Sequence, residues 1–129
     1  MTKQITNHNT TIQINKPYNL EERTMVFAKG IISLCFKLAK HTVNFKLTEQ
    51  LVAAAGSVGA NYREANEAVS KKDFSHRMRI TRKECKEASY WLELLKEAND
   101  EHAEEIGRFL EESKELRNIF SAIIEKTTV

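Results

Sequence analysis

Positively charged side chains are concentrated in one stretch of this 129-residue chain, at a spacing that suits phosphate recognition. From position 71 to 86 there are seven Lys and Arg residues against two acids, a local charge of +5, whereas the whole chain carries +2. Phosphate binding needs such side chains on one rigid surface, so that several counterions are released together. On a helix, five of them lie away from or at the edge of the apolar positions: Lys72, Arg79, Arg82, Lys83 and Lys86. We call these five the basic ridge and predict that it binds the backbone of RNA or DNA.

A second interpretation of the basic ridge is contact with an acidic protein surface. Charge runs often form solvated faces or pair with acids. From Glu93 onward the chain has ten acids and five bases, so the last helix or a neighbouring subunit could supply those acids. This alternative predicts an oligomeric protein-interaction module with no nucleic-acid binding.

Other chemistry-bearing residue patterns are weak. Four-helix bundles can hold two metal ions through Glu-x-x-His motifs, and none occurs here. Asp73 and His76 have that spacing, and Glu64 and Glu67 could share a face, but further ligands are missing. The chain also lacks a Gly-rich phosphate loop, a G-x-S-x-G turn and a C-x-x-C pair. We therefore expect no catalytic residues, no cofactor and no metal site, and hence no enzyme.

The two cysteines and the absence of targeting signals indicate a cytoplasmic protein. Cys35 and Cys85 are fifty positions apart, each inside an apolar helical pattern, which favours small core residues over a disulfide. The N-terminus lacks a signal-peptide layout, and no stretch approaches the roughly 18 apolar residues of a membrane span.

The elements that carry the basic ridge are predicted to be helices of one domain. Four Gly and one Pro leave few backbone breakers, and 41% hydrophobic with 29% charged residues suits amphipathic helices. Apolar steps of three and four predict helices at about 20–41, 47–69, 71–98 and 102–125, with Asn19 capping the first. Short connectors favour an all-α, antiparallel up-down-up-down four-helix bundle over residues 20–126. Residues 1–19 are predicted to be a polar arm, in which Thr11–Asn15 could form a short strand.

The first predicted helix carries more apolar residues than one bundle requires. Its inward positions are already filled, yet Met25, Ile32 and Phe36 lie outside them. A bundle helix needs about three apolar positions in seven, so this surplus indicates a second packing partner, most simply another copy of the chain. We predict a homo-oligomer with these three residues at its interface.

The second predicted helix combines small and polar residues. Gly56 and Gly59 interrupt its apolar period, and such small residues would let another helix approach closely. Ser57, Asn61 and Glu64 form a polar stripe beside the apolar positions. Polar groups near a core are hydrogen-bonded, so we expect a buried network that fixes helix register.

The third and fourth predicted helices have long apolar stripes. In the third helix the inward positions run without interruption from Phe74 to Leu95, and Trp91 flanks them as a core anchor. In the fourth helix the predicted inward positions are Ile106, Phe109, Ser113, Leu116, Phe120 and Ile123, with Leu110, Ile119 and Ile124 widening the stripe.

Three segments of the chain resemble a known family. They are LEERTMVFAKGII at 20–32, GSVGANYREANEAVSKKDFSHRM at 56–78 and KECKEASYWLELL at 83–95. The most specific parts are residues 57–65 and 87–95. These segments are similar to the four-helix-bundle proteins encoded in intervening sequences of bacterial large-subunit ribosomal RNA, which have been labelled ribosomal proteins.

The resemblance implies a ring-like oligomer, typically a pentamer. It also implies kinship with the accessory proteins of diversity-generating retroelements, which are basic pentameric barrels that bind nucleic acid and a reverse transcriptase. A partner protein of that kind is therefore expected alongside RNA or DNA. Two departures weaken the parallel: Val52, Ala53 and Ala54 stand where many members carry Arg or Lys, and the fourth helix is strongly acidic.

Overall fold

The structure is a computed structural model and describes residues 19–127. Four helices form this part of the chain. They are α1 (Leu20–Lys37), α2 (Thr42–Asn66), α3 (Lys71–Ala98) and α4 (Ala103–Thr127), with a 3-10 turn at Asp100–His102 before α4. α1 packs against α2 and α4, and α3 packs against the same two helices. The helices thus close a square with α1 diagonally opposite α3, which confirms the predicted all-α four-helix bundle. The predicted strand and nearly all of the predicted arm lie outside the described residues.

Side-chain caps explain why α1 and α3 begin where the sequence predicted. The Asn19 side-chain oxygen accepts hydrogen bonds from the backbone N–H groups of Glu21 at 2.8 Å and Glu22 at 3.3 Å. The Ser70 hydroxyl oxygen accepts one from the backbone N–H of Asp73 at 3.0 Å. Each cap satisfies backbone donors that have no partner within the helix, so the chain enters both helices at a defined residue.

The junction between α1 and α2 differs from the prediction. α1 was expected to reach residue 41 and α2 to begin at 47, but α1 ends at Lys37 and α2 begins at Thr42. Leu38 turns to an extended conformation and is buried in the core. His41 then caps α2, because its Nδ1 atom accepts a hydrogen bond from the Asn44 backbone N–H at 3.2 Å. A histidine cap carries no clear sequence signal, and the first turn of α2 therefore looked like a connector.

The second junction is longer than predicted. α2 ends at Asn66 instead of residue 69, so Val69 is 92% exposed and does not join the apolar stripe. The backbone N–H of Val69 donates to the Asp73 carboxylate at 3.4 Å, and Ser70 caps α3. These two contacts hold residues 67–70 in the non-helical conformation that the cap requires.

The core lies between the four helices, and α3 fills it as predicted, with Met78, Thr81, Cys85, Ala88, Leu92 and Leu95 buried. In α4 the inward face is rotated slightly from the prediction. Leu110 and Ile124 are buried, whereas Phe109 and Ile123 are half-buried at its edge. Among residues 19–127, no helix has a segment that is long and apolar enough to cross a bilayer.

The glycines of α2 differ in their surroundings. A Cβ atom built on Gly59 would lie 3.0 Å from the Thr24 hydroxyl oxygen, so this glycine permits the close approach of α1 that its position predicted. A Cβ on Gly56 would meet nothing within 4 Å. Gly30 of α1 was not identified from the sequence. A Cβ atom built on it would lie 2.6 Å from the Phe109 ring of α4.

The polar stripe of α2 does not form the buried network that the sequence predicted. Asn61 and Ser57 are half-buried and Glu64 is exposed. The Asn61 side-chain amide donates to the backbone oxygen of Ser57 at 2.9 Å, a bond within one turn of the same helix. Because Ala65 occupies the inward position next to Glu64, the acid faces outward.

Candidate nucleic-acid interface

The basic ridge runs along the outer surface of α3. Lys72, Arg79, Lys83 and Lys86 are exposed, and Arg82 is half-buried beside them. At 1.5 Å per residue, Lys72 and Lys86 are separated by about 21 Å along the helix axis. α3 is the longest helix and is packed against two neighbours, so the charges stand on a rigid support.

Two shallow depressions join the five side chains into one surface. The first, of about 590 Å³, is lined by Arg79, Arg82, Lys83, Lys86, Glu87, Tyr90 and Trp91. The second, of about 530 Å³, is lined by Lys71, Lys72, Ser75, His76, Arg79 and Thr127. Arg79 lines both, so the two depressions adjoin at this residue. All five predicted ridge residues therefore come together. Lys71 and His76 extend the surface toward the N-terminal end of α3.

Few acids neutralise this surface. The Lys83 ammonium lies 3.9 Å from the Glu87 carboxylate, with both side chains exposed, an arrangement that contributes little. Arg77, on the same stretch, is held by Asp73 at 3.5 Å and does not line either depression. Within residues 19–127, no other carboxylate oxygen lies within 4 Å of a ridge nitrogen. Most of the positive charge thus remains available to a ligand.

The half-buried Arg82 has a defined orientation. Its guanidinium donates to the Ser121 hydroxyl oxygen of α4 at 3.3 Å, which ties the edge of the ridge to the neighbouring helix. Close by on α3, burial and, to a smaller extent, the charge of Glu87 raise the pKa of the Glu84 carboxyl, while Lys83 acts in the opposite direction.

Two aromatic side chains lie at the C-terminal end of the ridge, and the sequence did not identify them as site residues. Trp91 is half-buried against the core, as predicted, yet it also lines the first depression together with Tyr90. The two rings meet edge to face, with centroids 5.0 Å apart and planes at 78°. The step of four from Lys86 to Tyr90 was the available signal, since it continues the same helical face.

The predicted oligomer residues lie on the opposite side of the bundle. Met25, Ile32 and Phe36 are all exposed, and Phe36 is 77% exposed. Ile32 and Phe36 join Phe45 and Val52 of α2 in lining an apolar groove of about 410 Å³ between α1 and α2. The sequence did not identify Phe45 because its position was assigned to a connector.

The cysteine thiols and the potential metal ligands of residues 19–127 do not form one site. Burial raises the pKa of the Cys85 thiol to about 12 and that of the Cys35 thiol to about 11, so both are protonated at neutral pH. No three His, Cys, Asp or Glu side chains within residues 19–127 are grouped so that they could hold a metal ion.

Comparison with known proteins identifies the family. A family model described as "23S rRNA-intervening sequence protein" matches residues 17–122. The chain is also similar to the crystal structure of a protein from Bacteroides thetaiotaomicron described as having unknown function and belonging to the S23 ribosomal protein family. The two are 31% identical, with a TM-score of 0.75, and the match covers 82% of this chain and 98% of the other. No curated protein matches the chain. Since the family match spans well over half of the sequence, this protein belongs to the 23S rRNA-intervening sequence protein family.

Proposed function

We propose that this protein is a non-catalytic, oligomeric scaffold that binds the phosphate backbone of nucleic acid through the basic ridge. The observation that carries the proposal is that two adjoining depressions on one helix are lined by Lys72, Arg79, Arg82, Lys83 and Lys86. Several cations on one surface release several counterions when a phosphate chain binds, which is the main source of sequence-independent affinity.

The shape and charge of the surface favour a polyanion over an acidic protein patch. The ridge extends over about 21 Å, and its depressions are open, so a long flexible chain can follow it. A protein partner of this kind would need complementary acids at matching positions, whereas every nucleic acid offers phosphates at regular intervals.

The apolar groove between α1 and α2 supports the oligomeric part of the proposal. Exposed apolar patches of this kind are typical of protein–protein contacts. We assign the groove and the neighbouring Met25 to contact with a second copy of the chain. The groove shares no lining residue with the two depressions of the basic ridge, so assembly through it would leave the ridge residues outside the contact. Each added subunit would then contribute another ridge, and avidity would exceed the affinity of one subunit.

Charge reversal tests the ridge directly. The double variant Arg79→Glu, Lys83→Glu should lose binding to a fluorescein-labelled RNA and to duplex DNA, measured by fluorescence anisotropy at low and at physiological salt. The matched control is Lys46→Glu, Arg63→Glu, which makes the same change in net charge at exposed positions of α2 that line neither the groove nor the two depressions. Equal affinities for the ridge double variant and the wild type would overturn the proposal.

Oligomerisation is tested separately. Native mass spectrometry should give a multiple of the chain mass for the wild type, five times that mass if the ring is a pentamer. Phe36→Asp should shift the distribution toward the monomer, because it places a charge in the groove. A wild-type spectrum that contains only the monomer would contradict the oligomeric scaffold while leaving the ridge to be judged by its own experiment.

A further inference from the structure

We propose that the surface formed by the basic ridge and Tyr90 selects single-stranded over double-stranded nucleic acid. Tyr90, supported by Trp91, stacks on an unpaired base at the C-terminal end of the ridge. This inference rests on the proposed function and adds the class of nucleic acid. It is carried by the first depression, in which four ridge cations and two aromatic rings share one concave surface.

The position of Tyr90 is that of a stacking platform. The residue follows Lys86 by four positions on the same helical face, so a strand tracking the cations reaches it next. Its side chain is 57% exposed, although an aromatic ring ordinarily contributes to burial. The ring nevertheless has a defined neighbour, because it contacts Trp91 edge to face and Trp91 is itself packed on the core.

The chemistry of the depression distinguishes single strands from duplexes. Lys and Arg contact phosphates in both forms, so the cations alone do not discriminate between them. In a duplex, the base faces are covered by their stacked neighbours. In a single strand they are available, and aromatic side chains that stack on them give sequence-tolerant affinity. A surface with cations followed by an exposed aromatic ring therefore recognises more of a single strand than of a duplex.

The experiment compares four ligands of equal length: single-stranded RNA, single-stranded DNA, duplex DNA, and an abasic DNA strand that retains only the sugar-phosphate backbone. Wild-type protein should bind the two single strands with bases more tightly than the duplex and more tightly than the abasic strand, and a duplex bound as tightly as the single strands would overturn the selection. Tyr90→Ala should weaken binding to those two ligands by about 5- to 150-fold, the range for one stacked base, and leave the abasic strand and the duplex unchanged. Tyr90→Phe should restore the wild-type affinity.

A second readout comes from Trp91, which is the only tryptophan in the chain. A base stacked beside it should change its fluorescence, and the abasic strand should not. If the wild type binds none of the four ligands, the proposed function fails. If it binds them all but Tyr90→Ala binds each as tightly as the wild type, the stacking inference alone is overturned. Preference for RNA or DNA among the single strands would identify the sugar that the site accepts.

Discussion

The side-chain amides of Asn44 and Asn99 exchange two hydrogen bonds of 2.9 Å and join the α1–α2 junction to the α3–α4 junction. Asn44 lies at the start of α2 and Asn99 directly after α3, and both are buried. Each amide nitrogen also donates to a backbone oxygen, Asn44 to Ala39 and Asn99 to Leu95. The pair thus closes the connector after α1 and the end of α3 at the same time.

Replacing one member should leave the other with an unpaired polar group. Asn99→Ala is expected to lower the free energy of unfolding by about 1–3 kcal/mol, because a buried amide then loses its partner. Urea denaturation followed by circular dichroism would measure the change. Asn118→Ala, at an exposed position of α4, is the control and should alter stability by less than about 0.5 kcal/mol. Equal decreases in the free energy of unfolding in both variants would show that the buried Asn44–Asn99 pair contributes no more to stability than an exposed asparagine.

A partly buried guanidinium connects α1 to α4. Arg23 donates from Nε and from one terminal nitrogen to Glu112, at 2.7 and 2.9 Å, and the same terminal nitrogen reaches Glu115 at 2.9 Å. The hydrogen bond with Glu112 raises the pKa of the Arg23 guanidinium, so it stays charged. Arg23→Met should lower the free energy of unfolding by about 1.5–3 kcal/mol, the range for hydrogen bonds to charged groups.

The matched control for Arg23 is Arg108, whose guanidinium lies 3.8 Å from a largely exposed Glu104 carboxylate. Arg108→Met should change stability by less than about 0.5 kcal/mol, because a solvated ion pair contributes little. Thermal denaturation of the two variants in the same buffer provides the comparison. A larger loss for Arg108→Met than for Arg23→Met would contradict the assignment of the Arg23 contacts.

The buried thiols should make stability depend on alkaline pH. An unfolded cysteine ionises near pH 8.5, whereas the pKa values of Cys35 and Cys85 are raised to about 11 and about 12. Between those limits the unfolded state releases its thiol protons first, so each thiol makes the free energy of unfolding fall as pH rises. Below pH 8 both states hold the proton and the contribution is constant.

Thiol labelling at one pH tests the burial of the two thiols, on which this prediction rests. With iodoacetamide at pH 8.5, the half-buried Cys35 should react slowly and the buried Cys85 only on unfolding, since the thiolate is the reactive form. Peptide mass spectrometry separates the two sites. Labelling of native Cys85 as fast as in urea would show that it is not enclosed by the core.

The two glycines of α2 give opposite expectations for the same substitution. Gly56→Ala should raise stability by about 1 kcal/mol, because its Cβ meets nothing and the helix gains a better helix-forming residue. Gly59→Ala should gain less or lose stability, since its Cβ lies 3.0 Å from the Thr24 hydroxyl oxygen. Chemical denaturation ranks the variants, and a Gly59→Ala variant that is at least as stable as Gly56→Ala would refute the close packing of α1 on α2.

The sequence predicted those features that depend on helical period, and missed those that depend on contacts between distant positions. The buried stripe from Met78 to Leu95 and the placing of the basic ridge on one face follow from steps of three and four along one helix. The bounds of α1 and α2 were wrong because they depend on the His41 cap and on the Asn44–Asn99 pair, which joins residues 55 positions apart.

The site was predicted incompletely for the same kind of reason. Lysines and arginines are recognised by type, so the ridge could be named from spacing. Tyr90 was missed because an aromatic residue in a helix is ordinarily assigned to the core, and only the packing of Trp91 shows which of the two neighbouring rings remains exposed.

The dependence of affinity on salt tests the central claim most directly. If the five ridge side chains each neutralise one phosphate of a single strand, a plot of log affinity against log salt concentration should have a slope of about −3.5 per subunit engaged. Replacing all five by Ala should bring the slope close to zero, and each single replacement should reduce it by about 0.7. A wild-type slope near zero, or an unchanged slope in the fivefold variant, would contradict backbone binding by the ridge.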